Sequence, residues 1–297
     1  METAEALQRK IATTEDLQSV VKTMKALAAV NIRQYEKAVA ALAEYNRTIE
    51  MGLQVVLQMR PGGRVTVRPA PKRHVGAIVI GSDQGMCGPL NEQIVAHAIT
   101  TMRELRAAPE NRTLLAAGLR VTTRLEDAGE FIEHSVAVPG STDGITPLVQ
   151  DILITIDEWR AQRGLDRIVL FYNRFLSGAS YRPHTVHLLP LDTEWLHSIE
   201  KRAWPSRALP LVTMDHDQLF SRLIRQYLFV SLYRAVAESL ASENASRLAS
   251  MQGAERNIAE RLDELQAQFH QQRQMAITEE LLDIVAGFEA LGGCHQS

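Results

Sequence analysis

Apolar and small residues recur at alternating spacings of three and four along the first part of the chain. A repeat near 3.5 residues, kept over this many turns, is typical of a coiled-coil seam rather than of a short globular helix. The sequence therefore predicts one long N-terminal coiled-coil helix over residues 1–59. The seam positions are Leu7, Ile11, Thr14, Leu17, Val21, Met24, Ala28, Ile32, Tyr35, Val39, Leu42, Tyr45, Ile49, Leu53 and Val56.

A second seam of the same kind follows near the C-terminus and predicts a C-terminal coiled-coil helix and tail over 211–297. Polar residues interrupt this seam, as they do where helix register matters more than maximal stability. Two long helices that join one central domain and pack together must run antiparallel. The seam positions are Val230, Ala237, Leu240, Asn244, Leu248, Met251, Glu255, Ile258, Leu262, Leu265, Phe269, Gln272 and Ala276.

The C-terminal helix is the longer of the two, so its end overhangs the first helix. Apolar residues in this overhang point to more than one side, and a helix that is apolar nearly all round must be buried by something. Because the first helix cannot reach it, we expect another chain to cover it. The residues are Ile277, Leu281, Leu282, Ile284, Val285, Phe288 and Leu291.

Helix-breaking residues divide the chain. All eleven prolines lie between Pro61 and Pro210, residues 1–51 contain no glycine, and residues 211–286 contain only Gly253. Because both residue types disfavour helix interiors, their absence permits long helices at both ends. A basic segment rich in proline and glycine, 60–73, links the first helix to a central domain at 74–210. That segment is open to two interpretations, a solvated turn or a contact for an acidic neighbour.

The central domain alternates buried-strand patterns with helical ones. This alternation predicts a mainly parallel sheet with helices on both faces. The fold class is therefore α/β, with a Rossmann-like domain inserted into an antiparallel coiled coil. The expected strands are Val75–Ile80, Thr113–Ala117, Phe131–Val138 and Arg167–Tyr172, with Thr185–Leu191 as a further edge strand, and the expected helices are Leu90–Leu105, 119–128 and 144–162.

Composition excludes several classes of protein. The chain has 297 residues, with 32 basic against 35 acidic side chains and a net charge of −3, so nucleic acid is not an expected partner. Two cysteines are too few for a disulfide framework or a four-thiolate zinc site. The longest apolar runs are far shorter than the roughly 18 residues of a membrane-spanning helix. With the polar N-terminus, which does not resemble a secretory signal, these features predict a soluble cytoplasmic protein.

The glycine-rich turn at 81–88 lies between a strand and a helix, where phosphate-binding loops occur. It lacks the spacing of dinucleotide-binding glycines and the Gly-Lys-Ser/Thr ending, and it contains no basic residue. The pattern favours a tight structural turn. The alternative is an α/β enzyme that uses Ser82–Asn91 to bind a phosphate ligand. For the protein as a whole, a passive coiled-coil adaptor is a further interpretation.

Other candidate sites are weak. His184 and His187 are three apart, which on a strand places them on opposite faces, wrong for one metal ion. Cys294 and His295 belong to a tail that is expected to be frayed. Cys87 lies near a helix start that would lower its pKa, yet a buried, inert thiol is the better interpretation. We expect no catalytic residue, no metal and no cofactor.

Three motifs carry a resemblance to the γ subunit of F-type ATP synthases over nearly the whole chain. Val21–Ala29 is similar to the family's Thr-Lys-Ala-Met-x-x-Val-Ala-Ala, and Ser82–Asn91 to its Ser-Asp-Arg-Gly-Leu-Cys-Gly-Gly-Leu-Asn. The third motif comprises Glu238–Asn257 and Arg273–Leu291. The matching positions of the turn are Ser82, Asp83, Gly85, Cys87, Gly88 and Asn91.

The resemblance implies a non-catalytic rotor. In that family the two long helices form a shaft inside a ring of α and β subunits, while the α/β domain lies near the membrane rotor c-ring and an epsilon-type subunit. Rotation couples ion flow through the c-ring to the conformational cycle of the catalytic β subunits. The implied location is peripheral, at the cytoplasmic face of a bacterial-type plasma membrane.

The resemblance also implies contact residues. Met24 matches the methionine that faces the moving lever of the β subunit, with Lys22 and Lys25 beside it. The structural alternative is that Met24 simply packs in the seam. A polar set matches the residues that contact the β catch loop, with solvated side chains as the alternative, and one arginine matches the basic residue after Ala-Ser-Glu-x-Ala. These are Arg273, Gln274, Thr278 and Glu280, and Arg247.

The chain departs from the family pattern in two places. In the turn, Gln84 replaces an arginine, Met86 a leucine and Pro89 a glycine. The run Gln252–Asn257 replaces the usual Lys-x-Ala-Thr-Asp-Asn. These departures suggest a divergent, second-operon branch of sodium type.

Overall fold

The structure is a computed structural model that describes residues 3–59, 74–165, 167–178, 180–205 and 210–292. The chain divides into two units. One comprises Met1–Leu27 with Ala249–Ser297, and the other Ala28–Leu248. The predicted linker 60–73 and the pair Cys294 and His295 lie outside the described residues.

The first helix, α1, spans Ala4–Met59. Most of its predicted seam positions are buried or half-buried, because the 3.5-residue repeat keeps them on one face. Two seam predictions are wrong: Leu17 is 52% exposed and Tyr45 is 46% exposed. Spacing alone identifies residues of the right type on the right face, but it does not show how close a partner helix lies at each turn. The Tyr45 hydroxyl donates instead to Gln226 Oε1, at 3.0 Å.

The last helix, α6, spans His216–Gly292 and so begins five residues after the predicted start at Leu211. The Asp215 side chain explains this boundary. Its Oδ2 accepts hydrogen bonds from the backbone N–H groups of Asp217 and Gln218, at 3.1 and 3.2 Å. An aspartate that satisfies two of the first unpaired N–H groups is a favourable N-cap.

Between these helices lies a five-stranded sheet with the strand order β3-β2-β1-β4-β5. The first four strands are parallel, and β5 pairs antiparallel with β4 at the edge. The mainly parallel sheet is therefore confirmed. The strands are β1 (Val75–Ile80), β2 (Arg112–Ala117), β3 (Ile132–Val136), β4 (Ile168–Ser177) and β5 (Ser180–Leu189).

The shorter helices lie close to their predicted bounds, except for α5, which the sequence reasoning missed. This helix is only eight residues long and follows an Asp192 cap whose side chain accepts from the Glu194 N–H, at 2.8 Å. The helices are α2 (Leu90–Glu104), α3 (Leu119–Asp127), α4 (Ile145–Arg163) and α5 (Thr193–Glu200), with 3₁₀ turns at Pro109–Asn111 and Thr142–Gly144.

Helices cover both faces of the sheet. Alternate residues of β1 point to opposite sides: Ala77 and Val79 pack with α2 and α3, while Ile78 and Ile80 pack with α4 and α6. All four are fully buried. Burial on both faces explains why the strand reads as a continuous apolar run.

Within the unit 28–248, α1 and α6 run antiparallel. Asn31 contacts Asn244 and Tyr45 contacts Gln226. Residue numbers thus increase along α1 while those of the contacting residues in α6 decrease. A separate apolar cluster, formed by Ile49, Leu53, Leu57, Leu196, Ile199 and Val230, holds α5 against both long helices.

In the other unit, α1 and α6 pack through a smaller apolar cluster. Its buried members are Val21, Met251, Ile258 and Leu262, and Ile11, Met24 and Ala254 pack around them. Within the described ranges, no helix is long and apolar enough to cross a membrane.

Candidate functional site

The turn between β1 and α2 is closed by its own side chains. Asn91 accepts the Ser82 N–H on Oδ1, at 3.1 Å, and donates from Nδ2 to Ser82 Oγ, at 2.8 Å. Ser82 Oγ in turn donates to the Gln84 carbonyl, at 2.9 Å. Ser82 and Asn91 are both buried. The Ser82 N–H and hydroxyl and the Asn91 amide are thus engaged in bonds within the turn.

The Asp83 side chain connects this turn to two neighbouring loops by hydrogen bonds. Its carboxylate accepts the N–H of Leu119, at 2.7 Å, and the N–H of Val138, at 2.9 Å. An anion that accepts two backbone donors forms charge-assisted bonds, which are stronger than neutral ones. The side chain therefore connects the carboxyl ends of β1, β2 and β3.

Glycines permit the close approach of the backbones here. A Cβ on Gly81 would lie 2.4 Å from Val121 Cβ and 2.5 Å from Asn91 Oδ1, which no side chain tolerates. Gly88 has a φ of 55°, a left-handed conformation that glycine adopts at little cost. The shape of the turn thus requires glycine at position 81 and favours it at position 88.

Cys87 lies inside the turn and is 3% exposed. Burial raises the pKa of its thiol, although the hydrogen bond with Ser82 opposes the shift. A buried thiol that stays protonated is a poor nucleophile. The interpretation of Cys87 as an inert structural residue fits this geometry.

The turn is bound to α6. Ser246 Oγ donates to the Cys87 carbonyl, at 2.5 Å, and Arg247 Nη2 donates to the Gly85 carbonyl, at 3.4 Å. Arg247 also forms an ion pair with Glu243, at 2.5 Å, in which both side chains are less than 10% exposed. Burial raises the pKa of the Glu243 carboxyl in spite of this arginine. Arg247, predicted from the resemblance as a subunit contact, lies in a buried network within its own chain.

The three predicted contact residues of α1 lie in the unit of residues 1–27 and 249–297. Lys22 is exposed and donates to Gln18 Oε1, at 3.2 Å. Met24 is half-buried and packs against the apolar cluster of this unit. Lys25 forms an ion pair with Glu255, at 2.5 Å. Of the three, Lys22 is the most available to a partner.

The four predicted contact residues of α6 are all exposed. Thr278 Oγ1 donates to the Gln274 carbonyl of its own helix, at 2.8 Å. Every residue from 273 to 286 is exposed, including six large apolar side chains. These are Met275, Ile277, Leu281, Leu282, Ile284 and Val285, and we call them the apolar tip.

No metal centre is present in the part of the chain that the structure describes, where no group of three or more histidine, cysteine or acidic side chains is close enough to hold an ion. His184 and His187 both lie on β5. The surrounding protein partly shields each imidazole from water, which lowers the pKa of both. His184 is half-buried edge-on against Tyr172, whereas His187 is exposed, as expected for opposite faces of a strand.

Sequence reasoning missed one set of residues. Glu238, Ser242 and Ser246 lie on the buried face of α6 and bond to the sheet and its first turn. The sequence signal is their spacing of four, which places all three on one side of a helix.

Comparison with known proteins gives a consistent result over nearly the full chain. Residues 3–291 match the model of the family described as ATP synthase. ATP synthase gamma chains of Nostoc punctiforme and of a second Nostoc are each 28% identical over 319 residues, covering 98% of this chain and 100% of the relative.

Solved structures share the fold. A rotor of the Euglena gracilis mitochondrial ATP synthase has a TM-score of 0.64 at 14% identity, covering 92% of this chain and 98% of that one. A chain of the Euglena gracilis OSCP/F1/c-ring structure has a TM-score of 0.65 at 16% identity, covering 99% and 96%. The central stalk and c-ring structure from Tetrahymena thermophila gives 0.55 at 21% identity, covering 79% and 99%.

Proposed function

The chain belongs to the ATP synthase family as a gamma-type subunit, and we propose that it is the central rotor shaft that couples ion flow to the catalytic ring. The observation that carries the proposal is the apolar tip. Its six side chains are each between 38% and 62% exposed on a continuous helix. Apolar surface of this extent, on more than one side of a helix, marks an interface with another chain.

Membership of this family also suggests the partners. The α and β subunits of the catalytic ring would cover the apolar tip, and the c-ring and an epsilon-type subunit would bind the α/β domain, which we place at residues 74–210. The chain would be peripheral, at the cytoplasmic face of the membrane. Nucleotide chemistry would stay in the β subunits. In support, the Ser82 N–H and hydroxyl of the turn that invited a phosphate-binding interpretation are already engaged in bonds within it.

The predicted contact residues form an exposed set and a buried one. Lys22, Thr278 and Glu280 are exposed and suited to bonds that form and break as the shaft turns. Arg273 and Gln274 share this property. A deeply buried ion pair is costly to break, because each partner then loses its compensation. We therefore propose a transient contact role for the exposed set and a structural role for Arg247.

Co-purification tests the proposal. An affinity tag is inserted after Glu110, in the exposed 3₁₀ turn, and the material that binds is assayed for ATPase activity. We expect α- and β-type subunits with ATPase activity, and we expect deletion of residues 278–297 to weaken assembly or coupling. Recovery of the chain alone, or only with itself, would contradict the proposal.

Two single substitutions distinguish a rotor from a passive adaptor. Thr278→Ala and Glu280→Ala leave the seam intact, so an adaptor would tolerate both. In a rotor they should lower the membrane potential generated per ATP hydrolysed. Gln271→Ala, at an exposed position of the same helix, is the matched control.

A further inference from the structure

Three polar residues follow one another at intervals of four along the buried face of α6. Glu238 is 6% exposed, Ser242 is fully buried and Ser246 is 5% exposed. Residues four apart lie on one face of a helix. We call Glu238, Ser242 and Ser246 the polar ladder.

The first rung, Glu238, is a buried carboxylate held by several donors. The Tyr172 hydroxyl of β4 donates to its Oε2, at 3.0 Å, and Arg234 Nε donates to its Oε1, at 2.7 Å. Arg174 Nε of β4 lies 3.9 Å from Oε2. A buried carboxylate is tolerated only with such partners, so rotation of α6 away from β4 would be strongly opposed.

The next two rungs bind backbone carbonyls. Ser242 Oγ lies 2.8 Å from the Asn173 carbonyl of β4 and 2.8 Å from the Glu238 carbonyl of its own helix, so its one hydrogen is shared between them. Ser246 Oγ donates to the Cys87 carbonyl, at 2.5 Å. Tyr181 of β5 lies with its hydroxyl 3.3 Å from Ser246 Oγ. The ladder therefore connects α6 to β4, β5 and the first turn of the sheet.

Small apolar side chains lie beside the ladder, and Arg247 adds one further hydrogen bond from this part of α6, to the Gly85 carbonyl at 3.4 Å. Ala237, Ala241 and Ala245 are also four apart, and each side chain is at most 1% exposed. Apolar packing of small side chains is non-directional, so by itself it resists rotation or slip of the helix weakly. Hydrogen bonds require defined distances and angles, and a slip of one residue turns a helix by about 100° and would break every rung together.

We propose that the polar ladder fixes the rotational register of α6 against the sheet, so that torque passes between the sheet and the shaft without slip. Its members are positioning residues and touch no substrate. The proposal rests on the rotor function given above. It adds the place within this chain where torque is transmitted.

A double variant tests the ladder. Ser242→Ala with Ser246→Ala removes two rungs while changing little volume. The control is Ser221→Ala, since Ser221 is exposed on the same helix and donates only to the Asp217 carbonyl of that helix, at 2.9 Å. Complexes are immobilised through the catalytic ring in the absence of nucleotide. A rod attached to the α/β domain then reports the angular spread of that domain.

We expect a wider angular distribution in the double variant, with the population of displaced orientations rising about fivefold for each bond removed, which is the ratio set by a typical net hydrogen-bond contribution. The membrane potential per ATP hydrolysed should fall, while ATPase activity stays at the wild-type level. The control variant should match the wild type in both measurements.

Other outcomes would contradict either the ladder proposal or the rotor function. A lower melting temperature with an unchanged angular spread means that the ladder stabilises the fold only, and the proposal fails. If the double variant does not assemble, Ser242→Ala alone provides the same comparison. If the wild-type chain does not assemble with a catalytic ring, the rotor function itself fails, and the ladder's mechanical role fails with it.

Discussion

Lys25 Nζ lies 2.5 Å from Glu255 Oε2, an ion pair that joins α1 to α6 in the unit of residues 1–27 and 249–297. The hydrogen bond from Lys25 lowers the pKa of the Glu255 carboxyl. Glu255 stands in the run where this chain departs from the family pattern. The ammonium that the resemblance implied as a subunit contact is therefore already engaged within the chain.

This pair predicts a pH dependence of stability. Because the folded pKa of Glu255 is depressed below its ordinary value of 4.5, its contribution is fully present above that value and is lost as the pH falls through the folded pKa. Glu255→Gln should melt at a slightly lower temperature than the wild type at pH 7. The difference should vanish on acidification, as followed by circular dichroism.

Glu264→Gln provides the comparison for Glu255→Gln. Glu264 pairs with Arg261 on the same helix, so its loss does not separate α1 from α6. A pH-independent difference between Glu255→Gln and the wild type would show that the ion pair with Lys25 does not stabilise the folded state.

A second prediction concerns Asn91. Asn91→Ala should lower the free energy of unfolding by about 1 to 3 kcal/mol, because the buried N–H of Ser82 loses its acceptor. Urea denaturation measures the effect. Gln93→Ala, on the exposed face of the same helix, should change it by less than about 0.5 kcal/mol. Equal effects for the two variants would mean that the turn does not depend on its internal hydrogen bonds.

Periodicity predicted the fold well because it reports which faces of an element are buried. The strand Val75–Ile80 has the predicted bounds, and the absence of prolines from the chain ends corresponds to the two long helices. The start of α6 was placed too early because apolar content does not reveal the Asp215 cap. Strand β5 begins at Ser180, earlier than expected, since its half-buried edge pattern is weaker than that of a central strand.

The candidate site was less predictable. A motif shows which residues accompany one another but not whether each faces a partner subunit or its own chain. Arg247 and Glu280 come from the same resemblance, yet Arg247 is buried against Glu243 and Glu280 is exposed. The spacing of the polar ladder shows that its members share one side of a helix, but not what they bond to, because the serine hydroxyls donate to the Asn173 and Cys87 carbonyls and side-chain patterns do not report backbone acceptors.

Cys87 should resist alkylation in the folded protein. Burial raises the pKa of its thiol, which lowers the fraction of the reactive thiolate, and the side chain is 3% exposed. Iodoacetamide at pH 7.5, followed by peptide mass spectrometry, should modify Cys87 only after urea is added. Modification of native Cys87 as fast as in urea would contradict the buried, inert assignment.

The apolar tip should matter to assembly and not to the stability of the isolated chain. Leu281 and Leu282 are 58% and 62% exposed, so Leu281→Ser with Leu282→Ser removes little buried surface. The free energy of unfolding should change by less than about 0.5 kcal/mol. The yield of the complex with α- and β-type subunits should fall, because the substitution leaves hydroxyl groups in an interface built for apolar side chains. Gln271→Ser, which is exposed and lies before the tip, should leave both quantities unchanged. An undiminished yield of the double variant would show that no partner buries this end of α6.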